Sequence, residues 1–318
     1  MFSLVILGPT ASGKTSLALR LSKLVRAEII SLDSALVYKD MDIGTAKPSV
    51  QELFEVKHHL IDIRDPKDSY SAADFRRDCI AKVEEISSRG VLPIICGGTM
   101  MYYKALVEGL SPLPATDDKV RQRVQAEALA LGWPSMHAKL QDIDPKAYAR
   151  LNPNDKQRVS RALEVYYQTG RAMSSFFEEQ KGESCPFERF ECILLPQNDD
   201  RTALRKLIRK RFENMLDEGF IEEVAALKDR GDLTLDMPSM RSVGYRQIWE
   251  YLDGKLDYEQ MQEQAIHATS HLAKHQMTWL RGALANSSAN KLRLDIGDPN
   301  NLNLVLKHCQ SYLQPYLL

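Results

Sequence analysis

Short, wholly apolar runs alternate with stretches of helical spacing through the first hundred residues. Leu4–Leu7 is one such run, and Ala27–Leu32, ending at Asp33, is a second. Both have the length of buried strands. Between them Lys14–Val25 places Leu17, Leu21 and Leu24 at helical spacing, and Leu60–Ile63 reads as a third strand. Ser71-Ala72-Ala73-Asp74 has the spacing of a capping box and opens a helix that Gly90 closes. Val91–Cys96 is a fourth strand, followed by Gly97-Gly98-Thr99 and another helix. Strands alternating with helices predict an α/β fold, a parallel sheet with helices on its faces. Ligands of such sheets sit at the carboxyl ends of the strands.

The pattern changes near Pro112-Leu113-Pro114. From Asp117 to about Gln180 it is helical, broken at Gly132-Trp133-Pro134, Asp144-Pro145 and Asn152-Pro153. Glu191–Leu195 reads as a strand that returns to the sheet. Helices then follow at Thr202–Asp217, ending at Gly219, at Pro238–Leu252, and from about Tyr258 to Leu284. This divides the chain into a core, residues 1–116 and 191–318, and a helical insertion, residues 117–190. No internal repeat is present.

Composition narrows the picture only moderately. The 318 residues hold 42 Lys+Arg against 43 Asp+Glu, a net charge of -1, with 44% hydrophobic and 27% charged residues. These are ordinary globular values and exclude a disordered chain. The charge balance excludes binding of polyanions by overall attraction, so any nucleic acid must meet a local basic face. The longest apolar runs are far too short to span a bilayer. The N-terminus has no positive segment before its apolar run, so no signal peptide is read there. Five cysteines with no CxxC pair suggest reduced, mostly core residues and a cytoplasmic protein.

The strongest chemical signal is Gly8-Pro9-Thr10-Ala11-Ser12-Gly13-Lys14-Thr15, which fits G-x-x-x-x-G-K-[ST] between a strand and a helix. Such a loop curls backbone N–H groups around phosphate oxygens, while the helix N-terminus and Lys14 supply positive charge. Thr15 is the candidate Mg²⁺ ligand. The phosphate need not belong to ATP. A nucleotidase needs an acidic residue at a strand end to hold Mg²⁺. Asp62 lies inside its run, and Asp33, at the end of the second strand, sits better. A GTPase would need Asn-Lys-x-Asp, and Asn290-Lys291-Leu292-Arg293 lacks the Asp. Asp33 is therefore a cap, a metal ligand or a general base, and Thr99 an N-cap that could also touch a phosphate.

Two basic clusters stand out. Arg158 and Arg161 share a helix face. Arg201 to Arg211 holds six cations and no acidic residue. His267, His271 and His275 recur every four residues, but the outer pair is separated by about 12 Å of helix rise, too far to share one ion.

Taken together, the P-loop, Asp33-Ser34-Ala35-Leu36-Val37-Tyr38, Met41-Asp42-Ile43-Gly44-Thr45-Ala46-Lys47-Pro48, Gly97-Gly98-Thr99, Arg161-Ala162-Leu163-Glu164-Val165-Tyr166, Ser242-Val243-Gly244-Tyr245-Arg246 and Gln276-Met277-Thr278-Trp279-Leu280-Arg281 occur in a distinctive order. Over roughly residues 3 to 282 the chain resembles the bacterial tRNA dimethylallyltransferases. The resemblance implies a P-loop NTPase-like core with an inserted tRNA-gripping domain, and a monomer. It implies transfer of a dimethylallyl group from dimethylallyl diphosphate to the exocyclic amine of the adenosine 3′ of the anticodon, without ATP hydrolysis and with Mg²⁺.

Asp33 would then be the base, and Lys14, Thr99 and Arg211 would act with the P-loop on the departing diphosphate. The resemblance assigns Asp33, Ser34, Ala35, Leu36 and Thr99 to the adenosine pocket. It assigns Arg121, Gln157, Arg158, Val159, Ser160 and Arg161, then Arg241, Ser242, Val243, Gly244, Tyr245 and Arg246, and finally Lys274, His275, Gln276, Met277, Thr278, Trp279, Leu280 and Arg281 to the anticodon stem-loop. Leu36 departs from the family's frequent Gln, and His275 from its frequent Arg. Residues 283–318 carry no recognisable motif.

Overall fold

The computed structural model describes residues 1–179, 184–285 and 290–318. It forms two compact units, one of Met1–Leu106 with Pro186–Leu318, the other of Val107–Cys185. The first unit contains β1 (Phe2–Leu7), α1 (Lys14–Ser22), β2 (Ala27–Leu32), α2 (Val50–Glu55), β3 (His58–His59), α3 (Ala72–Ser88) and β4 (Leu92–Gly97). Helix α4 (Met100–Glu108) leads into the second unit, built of α5 (Asp118–Leu131), α6 (Trp133–Ala138), α7 (Leu140–Ile143), α8 (Pro145–Arg150), α9 (Lys156–Thr169) and α10 (Met173–Glu179). The chain returns through β5 (Glu188–Leu195), α11 (Arg201–Asp217), α12 (Phe220–Asp229), α13 (Tyr245–Leu252), α14 (Tyr258–Ala285), β6 (Lys291–Asp295), α15 (Asn301–His308) and α16 (Gln310–Leu313).

The strands form a six-stranded sheet in the order β3-β2-β4-β1-β5-β6, parallel throughout. Central β1 pairs Leu4 with Ile94 on one side and with Phe190 on the other. A parallel sheet covered on both faces is apolar on both, which is why its strands read as continuous apolar runs. Leu4, Ile6, Ile94, Cys192 and Leu294 pack with Leu17 and Leu21 of α1 and with Val305, Cys309 and Leu313 from the end of the chain. The alternate residues Val5, Leu7, Ile95 and Ile193 are equally buried and point to the opposite face. From β1 the chain crosses through α1 to β2, on the far side of β4. The crevice at the carboxyl ends of β1, β4 and β2 is therefore a natural ligand site.

Three sequence expectations need correction. The third strand is His58–His59, not Leu60–Ile63. Leu60 and Asp62 both take positive φ (61° and 56°), so the run cannot stay extended. The helix expected over Pro238–Leu252 begins only at Tyr245, because 237–242 is spent in successive turns and Gly244 has φ 93°. The inserted unit spans 107–185 rather than 117–190, since residues from Glu188 onward already pair with β1. The motif-free end of the chain, whose role the sequence left open, supplies edge strand β6, paired to β5, and core residues of α15 and α16.

The second unit has its own core, centred on Val124, Met136, Leu140, Val159 and Leu163. The breaks read from sequence separate α5 from α6 at Gly132, α7 from α8 at Asp144 and α8 from α9 around Pro153. Asp117, Asp144 and Asp155 accept backbone N–H bonds at the starts of α5, α8 and α9. Such caps are each worth about 1 kcal/mol.

Candidate active site

A cleft of about 1580 Å³ opens at the carboxyl ends of β1, β2 and β4. Its floor is the P-loop. Gly13 turns with φ 81° into α1, and no side chain caps that helix. The first N–H groups of α1 therefore have no intrahelical partner and face the cleft as an anion site. Half-buried Lys14 curls back so that its Nζ donates to the Pro9 carbonyl at 3.3 Å. Burial lowers its pKa, opposed by Cys96 and Asp33 and reinforced by the nearby charge of Arg211. Burial likewise lowers the pKa of Arg211, which Asp33 opposes. Lys14, Asp33 and Arg211 thus form one electrostatically coupled group. Cys96, at the end of β4, is pushed up to about 11 by burial, so its thiol stays neutral there.

The turn after β2 is held by the carboxylate it carries. Asp33 Oδ1 accepts the N–H groups of Ala35 at 2.8 Å and Leu36 at 3.4 Å. Ser34 N–H donates to Thr99 Oγ1 at 3.0 Å, tying this turn to the start of α4. Gln276 of α14 bridges the same region: its Oε1 accepts Thr10 N–H at 2.9 Å, and its Nε2 donates to the Gly98 carbonyl at 2.8 Å. One amide of the P-loop is thereby held by the protein itself.

A loop from Met41 to Lys47 forms another wall. The Glu223 carboxylate accepts the N–H groups of Asp42 (2.9 Å), Ile43 (2.7 Å) and Gly44 (3.2 Å), as well as the Tyr245 hydroxyl. Burial and this carboxylate raise the Tyr245 pKa far above normal, so it remains a donor. A Cβ on Gly44 would lie 2.1 Å from the Phe220 ring, so the loop passes too close for any side chain. Arg211 Nη2 donates to the Thr45 carbonyl at 3.5 Å. Lys47, almost fully buried, donates to Tyr38 O and to the carboxylates of Asp42 and Asp62. Asp62, the weaker metal-ligand candidate, is therefore a structural partner of Lys47.

The structure brings Asp33, Ser34, Ala35, Leu36 and Thr99 together with Lys14, Thr15 and Arg211, and adds Arg241, Ser242, Val243, His275, Gln276 and Trp279 to the same cleft. Several residues assigned to RNA are instead turned inward. Tyr245, Met277 and Leu280 are core residues of the first unit, and Val159 and Ser160 are buried in the second. Gln276 spends its amide on the P-loop. In the second unit Arg121, Gln157 and Arg158 are exposed, whereas the Arg161 guanidinium bonds Pro114 O and Thr116 Oγ1. Sequence reading missed Glu223 and the support role of Gln276. The sequence offered Met41 to Pro48 as a motif, with no local sign of the distant carboxylate that holds it.

Comparison with known proteins places this geometry. The IPP transferase family model matches residues 36–283. The chain belongs to the IPP transferase family. The full-length tRNA isopentenylpyrophosphate transferase of Bacillus halodurans is 34% identical, over 98% of this chain and 97% of that one, with a TM-score of 0.69. The tRNA delta(2)-isopentenylpyrophosphate transferase of Staphylococcus epidermidis is 30% identical over 98% of both chains, with a TM-score of 0.67. A eukaryotic dimethylallyltransferase acting on tRNA is 26% identical over 98% of this chain and 77% of that one, with a TM-score of 0.78. This IPP transferase is an enzyme with a P-loop-type parallel sheet. Among the described residues no helix is long and apolar enough to cross a membrane.

Proposed function

We propose that this IPP transferase moves a dimethylallyl group from dimethylallyl diphosphate to the exocyclic amine of the adenosine 3′ of the anticodon. Membership of the family makes it a transferase of prenyl groups to tRNA. The observation that carries the finer reading is the convergence of one carboxylate, Asp33, with Lys14, Arg211 and the P-loop amides in a single cleft.

An adenine amine is a weak nucleophile, because its lone pair is delocalised into the ring. As its nitrogen bonds the allylic carbon, the carbon–oxygen bond to diphosphate breaks and one amine proton must leave. Asp33 takes that proton, a step of general-base catalysis. Its Oδ1 is spent on the turn, which leaves Oδ2 for the work. The α1 amides, Lys14, Arg211 and the Thr99 hydroxyl meet the charge growing on the leaving diphosphate. The adenosine must leave its stack to reach them, and the half-exposed Trp279 offers an aromatic face at the cleft.

The donor set fits Mg²⁺. Among the described residues no group of three or more His, Cys, Asp or Glu gathers as a metal cage. A Mg²⁺ carried by substrate phosphates needs only one or two protein oxygens, and the exposed Thr15 hydroxyl at the start of α1 supplies one. Bound there, the ion would neutralise charge on the departing diphosphate.

The test is incubation of the protein with labelled dimethylallyl diphosphate, unmodified tRNA and Mg²⁺, without ATP. Label on the adenosine 3′ of the anticodon is the expected result. Phosphoryl transfer from ATP would instead indicate a P-loop kinase, and ATP-linked RNA binding without turnover an RNA-binding switch.

A further inference from the structure

A second groove, of about 620 Å³, lies between α11 and α14. Arg201, Arg205, Lys206 and Arg209 line it from α11, and His271 and Lys274 from α14, all of them exposed. Its floor is apolar, made by Leu204, Ile208 and Met277. The acidic residue in the lining, Glu263, is neutralised by Arg209 at 2.8 Å. Asp200, at the start of α11, acts on Lys206. Arg201, Arg205 and Lys274 take part in no ion pair among the described residues. Arg201, Arg205 and Lys206 have no acidic neighbour at i+3 or i+4 on the helix, while Arg209 has Glu213 at i+4.

A solvated surface normally mixes both signs. Here cations are concentrated on one face of a chain whose net charge is -1. Arg201, Arg205 and Arg209 recur every fourth residue, so they form a row with a step of about 6 Å along the helix. An evenly spaced row of cations over an apolar floor complements a sugar–phosphate backbone better than it does a compact anion. The groove also lies next to the cleft, across α14. Lys274 faces the groove and its neighbour His275 faces the cleft, so one helix width, about 10–12 Å, separates the two.

We propose that the α11/α14 groove is an RNA-contact surface that holds the backbone flanking the nucleotide inserted in the cleft. The proposal rests on the reading of tRNA as substrate. It adds Arg201, Arg205, Lys206 and Arg209 of α11, which this reading leaves without a role, beside Lys274.

The test is the double variant Arg205→Ala/Lys206→Ala, at two exposed positions outside the cleft. Its control is Lys67→Ala/Lys307→Ala, which removes the same charge outside both pockets. In a direct binding assay the groove variant should bind tRNA about tenfold more weakly, with the slope of log affinity against log salt shallower by about two contacts' worth. The KM for dimethylallyl diphosphate, and turnover at saturating tRNA, should match wild type, and the control should match wild type throughout. Wild-type tRNA affinity and salt slope in the groove variant would overturn the proposal. So would loss of inorganic tripolyphosphate binding with tRNA binding intact, which would assign the groove to a small anion. A wild-type enzyme that binds tRNA but fails to prenylate it would strike the proposed reaction instead. The binding assay would still judge the groove.

Discussion

At the scale of single residues, Asp33 does two things with one carboxylate. Oδ1 accepts two backbone N–H groups and shapes the turn, which leaves Oδ2 for the proposed role as base. Asp33→Asn keeps an acceptor at the first position and removes the base at the second. Transfer should fall by about 10²- to 10⁴-fold, with tRNA affinity nearly intact. Single-turnover prenylation beside a binding assay reads both. Lys14 gives a pH signature. Its pKa is lowered by burial, and in the proposed reaction the ammonium is the form that would meet the diphosphate. As pH rises through that lowered value, kcat/KM for dimethylallyl diphosphate should fall, at a pH below the 10.5 of a free lysine. Lys14→Ala should lower kcat/KM at every pH and remove this limb from the profile. Both residues were legible in the sequence, because a P-loop and an acid at a strand end are local patterns. Glu223 was not, because its value lies in three backbone amides about 180 positions away in the chain.

At the scale of elements, the Met41–Lys47 loop is held by the Glu223 carboxylate and lies close against the core at Gly44. Gly44→Ala drives a methyl group into Phe220, and overpacking of this kind costs about 1–3 kcal/mol. A denaturant melt should show that loss. The KM for dimethylallyl diphosphate should rise with it, since Arg211 leans on the same loop through Thr45. A second element-scale feature joins β2, β3 and the end of α3. Glu28 accepts from Arg89 at 2.5 and 2.8 Å and lies 2.6 Å from His59 Nε2. The Arg89 hydrogen bonds lead in holding its pKa at about 2, from 4.5. A depressed carboxylate contributes stability that is complete above the unfolded value and is lost as pH falls through the folded one. Acid melts should therefore lose stability between about pH 4.5 and pH 2 through this group. Glu28→Gln should be less stable at neutral pH and show a shallower decline in that window. The elements themselves were read well wherever one period dominated, as in β1, β4 and α3. The third strand was misplaced because an apolar run cannot reveal that Leu60 and Asp62 take left-handed backbone angles.

At the scale of the whole molecule, the end of the chain belongs to the core. β6 closes the sheet edge beside β5, and Val305, Cys309 and Leu313 pack with α1 on the same face of the sheet. A chain ending at Ala285 should lose cooperative thermal unfolding and soluble yield, which circular dichroism and sedimentation would report. The second unit has a separate apolar core, so a fragment spanning 107–185 should be helical and unfold cooperatively by circular dichroism. By itself the sequence determined the parallel α/β class, the phosphate loop, the helical insertion and Asp33 at a strand end. Each is written in neighbouring residues or in a hydrophobic period. Tertiary structure decided which face each helix shows. It buried Tyr245, Met277 and Leu280, gave Gln276 to the P-loop, and left the α11 cations facing solvent beside α14. The reason is physical: spacing along the chain fixes which residues share a stripe, but only packing against the rest of the protein decides whether that stripe meets the core, the ligand or water.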